Sequence, residues 1–214
     1  MKKTILFQGD SITDSNCRNE WGQNIGFGYA TMVAGSLGRT EPYCYQFINK
    51  GVSGNRIIDL YARIKKAIIN LNPDYMSILI GVNDVWHEVS DKNGVDAAKF
   101  EMLYCLLIEE IKAVLPNIKI MIMEPFVLPA EVTDPEDKPD RYPYIRKEVE
   151  LRAQAAKRVA EKYNLVFVPL QNLFDTVNAD APERGYWMWD GIHPTAAGHD
   201  LIKTEWLKAF ELIK

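Results

Sequence analysis

The apolar residues of this chain fall into two alternating rhythms. Five short runs are mostly apolar and carry apolar residues on both faces: residues 4–8, Tyr45–Asn49, residues 75–80, Lys119–Met123 and residues 165–168. Each meets a breaker. Gly9-Asp10 follows the first and Gly51 the second; Asn72-Pro73 precedes the third and Gly81 stops it; Pro125 and Pro169 stop the last two. Runs without polar alternation suit strands covered on both faces, as in a parallel sheet. Between them the period lengthens to three and four. Residues 56–71 place Ile57, Leu60, Ile64 and Ile68 on one helical face, and residues 96–115 do the same with Phe100, Leu103, Leu107 and Ile111. Residues 144–163 set charges against Val149, Ala153, Ala156 and Ala160, and residues 195–213 close the chain behind His193-Pro194.

This alternation predicts one three-layer α/β domain over residues 1–214, a parallel sheet between two layers of helices. Right-handed crossovers bring every strand's C-terminal end to the same edge, and ligands of such sheets bind outside that edge. One segment breaks the rhythm. Residues 125–143 hold Pro125, Pro129, Pro135, Pro139 and Pro143 with several acidic residues. They follow the fourth run and so emerge on that edge, either as an ordinary surface loop or as a lid or substrate wall.

Composition narrows the class. Of 214 residues, 47% are hydrophobic and 25% charged, the balance of a globular protein. The net charge of −4 argues against nucleic acid as a partner. No run approaches the ~18 apolar residues of a membrane span, so no membrane partner is expected. Met1-Lys2-Lys3 has the charge of a secretory leader, but the Ile5-Leu6-Phe7 stretch behind it is too short for one. Cys17, Cys44 and Cys105 lack the spacing of a zinc site and require no disulfide. The expectation is a cytoplasmic protein with no cofactor and no metal.

The candidate chemistry lies at the strand ends. Ser11 follows the first run, Gly51-Val52-Ser53-Gly54-Asn55 the second and Gly81-Val82-Asn83-Asp84 the third, while Asp190-Gly191-Ile192-His193 lies far downstream. Each alone has a plain reading as a turn or a helix cap. Together they supply a complete catalytic set. A serine hydroxyl is a weak nucleophile until a base takes its proton. His193 titrates near neutrality and is the natural base. Asp190 is close enough in sequence to orient it and to stabilise its cationic form. The oxyanion formed on attack needs donors fixed beforehand, and the Ser11 N–H, the Gly54 N–H and the Asn83 side-chain amide can supply them.

These blocks resemble those of the SGNH (GDSL) hydrolases. Gly9-Asp10-Ser11-Ile12-Thr13-Asp14 is similar to the first block, Asn49-x-Gly51-x-x-Gly54 to the second, Gly81-x-Asn83-Asp84 to the third and Asp190-x-x-His193-Pro194 to the last. They occur in the family's order across nearly the whole chain. The resemblance implies a flavodoxin-like α/β/α fold with a central five-stranded parallel sheet and ester hydrolysis through an acyl-serine. It maps Ser11 as nucleophile, Gly54 and Asn83 as oxyanion donors, and Asp190 and His193 as the acid and base pair.

A finer likeness narrows the substrate. Gly81-Val82-Asn83-Asp84-Val85-Trp86 and Trp189-Asp190-Gly191-Ile192-His193-Pro194 are similar to bacterial acetylesterases that act on xylo-oligosaccharides. The expected partner is therefore an acetylated sugar or oligosaccharide. Trp86 and Trp189 are its candidate binding residues, and Trp187 is a weaker third wall; core packing is the alternative for each. The resemblance also raises a homo-oligomer, without an interface pattern in the residues. Asp14 and Asp84 read as local ties within their turns. His87 either lines the pocket or faces solvent, His199 is structural, and nothing marks Cys17 as reactive. Two rival readings stand: a lysophospholipase or thioesterase of the same family, and a flavodoxin-like binding module without hydrolytic activity. The absence of GxGxxG and P-loop patterns disfavours a nucleotide site for the latter.

Overall fold

A computed structural model describes residues 2–17 and 25–214. Met1, the first residue of the charged start, lies outside them. Five parallel strands form one sheet: β1 (Lys3–Gly9), β2 (Tyr45–Asn49), β3 (Tyr75–Leu79), β4 (Lys119–Met123) and β5 (Val166–Val168), in the order β2-β1-β3-β4-β5. All five lie where the apolar runs place them. The side-chain period of two sends Ile5 and Phe7 to one face and Leu6 and Gln8 to the other. Met121 and Met123 part in the same way from Ile120 and Ile122.

Two cores result. On one face α2 (Tyr29–Thr40) and α9 (Ala196–Phe210) bury Tyr29, Val33, Trp206 and Phe210 against Phe7. On the other, α6 (Ala97–Val114) and α7 (Arg141–Lys162) bury Phe100, Leu107, Ala156 and Val159 against Ile78 and Ile122. Helices α6 and α9 begin on side-chain caps. The Asp96 carboxylate accepts the Lys99 N–H at 2.9 Å, and the Thr195 hydroxyl accepts the Gly198 N–H at 3.3 Å. Helix α7 begins ahead of residue 144, because Pro143 falls in its first turn, where no N–H is needed.

The structure departs from the sequence reading in two ways. Residues 56–71 are not one helix. They divide into α3 (Ile57–Ala62), α4 (Ile64–Ala67) and a 3-10 turn at Ile69–Leu71. Arg63 sits at the first break (φ −106°, ψ 11°) with its side chain committed to other chain segments, and five isoleucines give the stretch little helix propensity of its own. Four helices had no counterpart in the reading: α1 (Ser11–Asp14), α2, α5 (Val82–Asp91) and α8 (Gln171–Ala179). Gly35 and Gly38 dilute the pattern in α2, which forms because Tyr29, Ala30, Val33 and Leu37 are buried. In α5 the Asn83-Asp84 pair, expected in a turn, occupies the first helical turn.

Candidate active site

The chain leaves β1 at Gly9 and turns directly into the short helix α1, whose first residue is Ser11. The Asp10 carboxylate caps this helix, accepting the Ile12 N–H at 3.0 Å. Asp10 is buried, and its second oxygen has no hydrogen-bond partner among the described residues. Burial pushes its pKa up to about 7, against the pull of the Ile12 N–H and of nearby His193.

From the far end of the chain, the 188–194 loop delivers His193, the candidate base. The Ser11 hydroxyl lies 2.8 Å from His193 Nε2, and His193 Nδ1 lies 2.6 Å from Asp190 Oδ2. The other Asp190 oxygen accepts the Ile192 N–H at 2.8 Å and the His193 N–H at 2.7 Å. Burial alone would push the Asp190 carboxyl up, but the His193 ring and these two N–H groups hold it below its ordinary value. The Asp190 hydrogen bond raises His193 above its ordinary value, outweighing the effect of burial. The serine, imidazole and carboxylate thus form a continuous chain of hydrogen bonds, the arrangement in which a hydroxyl can pass its proton to a base.

The proline-rich segment is neither a free surface loop nor a lid over its first half. Phe126, Val127, Leu128, Ala130 and Thr133 are buried. The Leu128 N–H donates to the Gly191 carbonyl at 3.0 Å, and the Thr133 hydroxyl donates to the Leu128 carbonyl at 2.6 Å. Gly191 has φ +93°, and a Cβ there would overlap Thr133 Oγ1 and the Leu128 carbonyl. This segment is a floor beneath the Asp190–His193 turn.

The other two strand ends carry the candidate donors. Gly54 has φ +80°, open to glycine at no cost. Among the described residues, neither the Ser11 N–H nor the Gly54 N–H donates to a protein acceptor. Asn83 is buried, and its Nδ2 donates one hydrogen to the Asn55 carbonyl at 3.3 Å, which orients the amide and leaves the second hydrogen for another acceptor. Asp14 makes the expected local tie, its Oδ1 accepting the Cys17 N–H at 3.2 Å, but both it and Asp84 also reach distant segments. The Asp14 carboxylate accepts the Ser53 N–H at 3.0 Å and the Ser53 hydroxyl at 2.8 Å, and the Asp84 carboxylate accepts the Ile57 N–H at 3.1 Å. Burial raises Asp84 well above its ordinary value.

The tryptophans divide. Trp189 is 60% exposed and stacks its ring on His193, centroids 5.6 Å apart and planes 17° apart. It borders a recess of 420 Å³ that Glu131, Asp134, Glu136 and Arg184 also line. Trp86 is half-buried against the core with the Arg141 guanidinium 5.9 Å over its ring. Trp187 packs on the core, and its Nε1 donates to the Val177 carbonyl at 3.0 Å, so it does not form the third wall. His87 is half-buried, its Nε2 facing Gly54. His199 caps α2 by accepting the Tyr29 N–H at 3.2 Å, and burial depresses its pKa to about 4. Cys17 lies 3.2 Å from the Asp14 carboxylate. Among the described residues no cluster of His, Cys, Asp or Glu could hold a metal ion, and no helix is long and apolar enough to cross a membrane.

This geometry accords with what known proteins show. Residues 7–201 match the model of the GDSL-like lipase/acylhydrolase family. The chain belongs to that family. It is similar, at 31% identity over 98% of its length and 95% of the relative's, to an acetylxylan esterase of Geobacillus stearothermophilus. The solved structure of that organism's acetylxylan esterase Axe2 superposes with a TM-score of 0.82 at 30% identity, covering 97% of this chain and 93% of the other. Catalytic mutants of Axe2 have been solved at a serine, an aspartate and a histidine. A Parabacteroides merdae structure described as a GDSL-like lipase superposes with a TM-score of 0.88 at 33% identity, covering 99% of this chain and 98% of the other. This GDSL acylhydrolase thus carries the family's α/β fold.

Proposed function

We propose that this acylhydrolase is a serine esterase that removes small acyl groups, acetyl foremost, from carbohydrate esters. The observation that carries the reading is the Ser11–His193–Asp190 chain of hydrogen bonds, set beside the Ser11 and Gly54 N–H groups, which have no protein acceptor among the described residues. Ser11 Oγ attacks the ester carbonyl carbon as its proton passes to His193 Nε2, and the carbonyl π electrons move to oxygen. The Ser11 N–H, the Gly54 N–H and the Asn83 amide receive that oxyanion. Asp190 holds the Nδ1–H tautomer and stabilises the imidazolium. When the carbonyl re-forms, the alcohol departs with the proton from His193. Water then attacks the acyl-serine, giving its proton to His193, and the carboxylic acid leaves as Ser11 regains its proton.

Two features support a carbohydrate as the alcohol. The exposed face of Trp189 beside His193 offers a flat apolar wall suited to a sugar ring, and the recess it borders is lined by groups that hydrogen-bond hydroxyls. The Geobacillus stearothermophilus relatives are esterases of acetylxylan. The test compares wild type and Ser11→Ala on p-nitrophenyl acetate, then runs acetyl through decanoyl esters beside acetylated xylose, glucose and xylo-oligosaccharides. The expected result is loss of hydrolysis in Ser11→Ala and a wild-type preference for acetyl on sugars. Undiminished hydrolysis by the alanine variant would sink the assignment, and a preference for long acyl chains would move the substrate to lipid esters.

A further inference from the structure

Arg63 occupies the break between α3 and α4, and among the described residues its guanidinium group grips three other segments. Nη2 donates to the Gly9 carbonyl at 3.2 Å, Nη1 to the Lys50 carbonyl at 2.8 Å and Nε to the Asn55 side-chain carbonyl at 2.7 Å. Gly9 ends β1 two residues before Ser11. Lys50 directly follows β2. Asn55 directly follows Gly54. One rigid fork therefore joins the strand end that presents the nucleophile to the loop that presents an oxyanion donor. A second strap runs alongside it: Asp14, three residues past Ser11, holds Ser53, the residue before Gly54.

We propose that Arg63 is a positioning residue for ester hydrolysis, its hydrogen bonds to Gly9, Lys50 and Asn55 holding the Gly54 loop in register with the Ser11 turn so that the oxyanion donors stand in place before substrate arrives. This rests on the esterase reading of the same site. A preorganised donor is valuable because it needs no rearrangement as charge develops, and a displacement of a few tenths of an ångström weakens it without removing it. Backbone bonds tie the loop on either side of Gly54, the Val52 N–H donating to the Gly9 carbonyl at 3.0 Å and the Asn55 N–H to the Val52 carbonyl at 3.0 Å, but none of them holds Gly54 itself. The loop is glycine-containing, and the Gly54 N–H makes no protein hydrogen bond among the described residues. Arg63 touches neither the substrate nor the reacting atoms. Its effect belongs in turnover rather than in binding.

The experiment measures kcat per active site, titrated by the p-nitrophenol burst, and KM on p-nitrophenyl acetate for wild type, Arg63→Gln, Arg63→Lys, Arg63→Ala and Ser11→Ala. Loss of an oxyanion donor outright costs about 10²–10³ in kcat, so Arg63→Gln, which displaces one, is expected to lose about 10–100-fold with KM within about twofold. Lysine keeps the charge but not the fork, and is expected to recover only part of that loss. Millimolar guanidinium, against a matched sodium chloride control, is expected to restore part of the kcat of Arg63→Ala. Inactivation by diethyl p-nitrophenyl phosphate, whose phosphoryl oxygen enters the same hole, is expected to slow in proportion to kcat/KM. Wild-type kcat per titrated site in Arg63→Gln overturns the proposal, as does a loss confined to KM. Failure of both Arg63→Gln and Arg63→Lys to fold also overturns it, by making Arg63 a stability residue. If wild type hydrolyses no ester, or Ser11→Ala hydrolyses as well as wild type, the esterase reading itself has failed.

Discussion

In the 188–194 loop, Asp190 reaches the ring of a histidine three residues away and accepts the two N–H groups next to it. That loop organises itself, and the buried 126–133 segment supports it from below. In the loop after β2, the holding groups come from elsewhere: Asp14 in α1, Arg63 at the α3–α4 break, and Asn83 and Asp84 in α5. One half of the site is a local motif on a packed floor. The other is a loop held by charged and amide side chains from three other elements. Damage to the first should reach both the proton relay and the packing beneath it, whereas damage to the second should reach chiefly the oxyanion.

The largest expected effect is on the self-organised half. Asp190→Asn should lower kcat about 10⁴-fold, since an amide at that position favours the wrong imidazole tautomer. Steady-state kinetics on p-nitrophenyl acetate check it, and a loss under about tenfold would mean that the Asp190–His193 contact does not serve turnover. Next, Asn83→Ala should cost about 10²–10³ in kcat with little change in KM. A change in KM alone would reassign Asn83 to substrate binding.

A third contrast concerns stability. Alanine at Gly191 must accept φ +93° and overlap Thr133 and Leu128, which together should cost about 2–5 kcal/mol. Alanine at Gly54 meets only His87 Nε2, at 3.9 Å from the new Cβ, and should cost only about 1–2 kcal/mol for its φ. Urea midpoints of the two variants test this. Equal losses would show that the floor under the Asp190 loop gives way and does not resist.

The smallest effect is a displacement on the pH axis. His193 must be neutral to accept a proton, and Asp190 raises its pKa, so activity should climb with pH through a midpoint above 6.5. Asp190→Asn should lower that midpoint in the residual activity. For stability, a raised His193 contributes most below its unfolded pKa and loses that contribution as pH rises through the folded value. A lowered Asp190 contributes above its unfolded pKa and loses that contribution as pH falls through the folded value. The pair therefore stabilises most between the two. Asp10 runs against this: its carboxyl is raised to about 7, so stability is lost as pH climbs from the ordinary carboxyl range through 7, and Asp10→Asn should flatten that decline. A stability profile unchanged by Asp10→Asn would mean that the buried carboxyl stays in one protonation state throughout.

Much of this was legible because strands and catalytic blocks carry short-range signals. The five strands come within two residues of the apolar runs, since strands covered on both faces leave few positions for polar side chains. Ser11, Asp190 and His193 stand out because each lies within two residues of a glycine or proline that marks a strand end or a tight turn. The helices were less legible. Residues 56–71 read as one helix by their isoleucine spacing, yet Arg63 breaks it to reach Gly9, Lys50 and Asn55. No periodicity records a side chain's partners in distant segments. The same blindness hid the long reach of Asp14 and Asp84, whose carboxylates bind partners 39 and 27 residues away, Asp14 in addition to its local bond with Cys17.

Composition and pattern along the chain were enough for the sheet, its direction and the identity of the groups that meet at its C-terminal edge. These follow from burial periods and from the chemistry of single residues, which do not depend on what lies across the molecule. Which groups merely lie near that edge and which hold it came from the packed structure alone. Trp187 turned inward while Trp189 stacked on His193, the proline-rich segment became a floor, and Arg63 left its helix to bridge two strand ends and the Gly54 loop. Each of those outcomes is settled by competition among long-range partners for the same space and the same hydrogen bonds. That competition exists only once the chain has closed on itself.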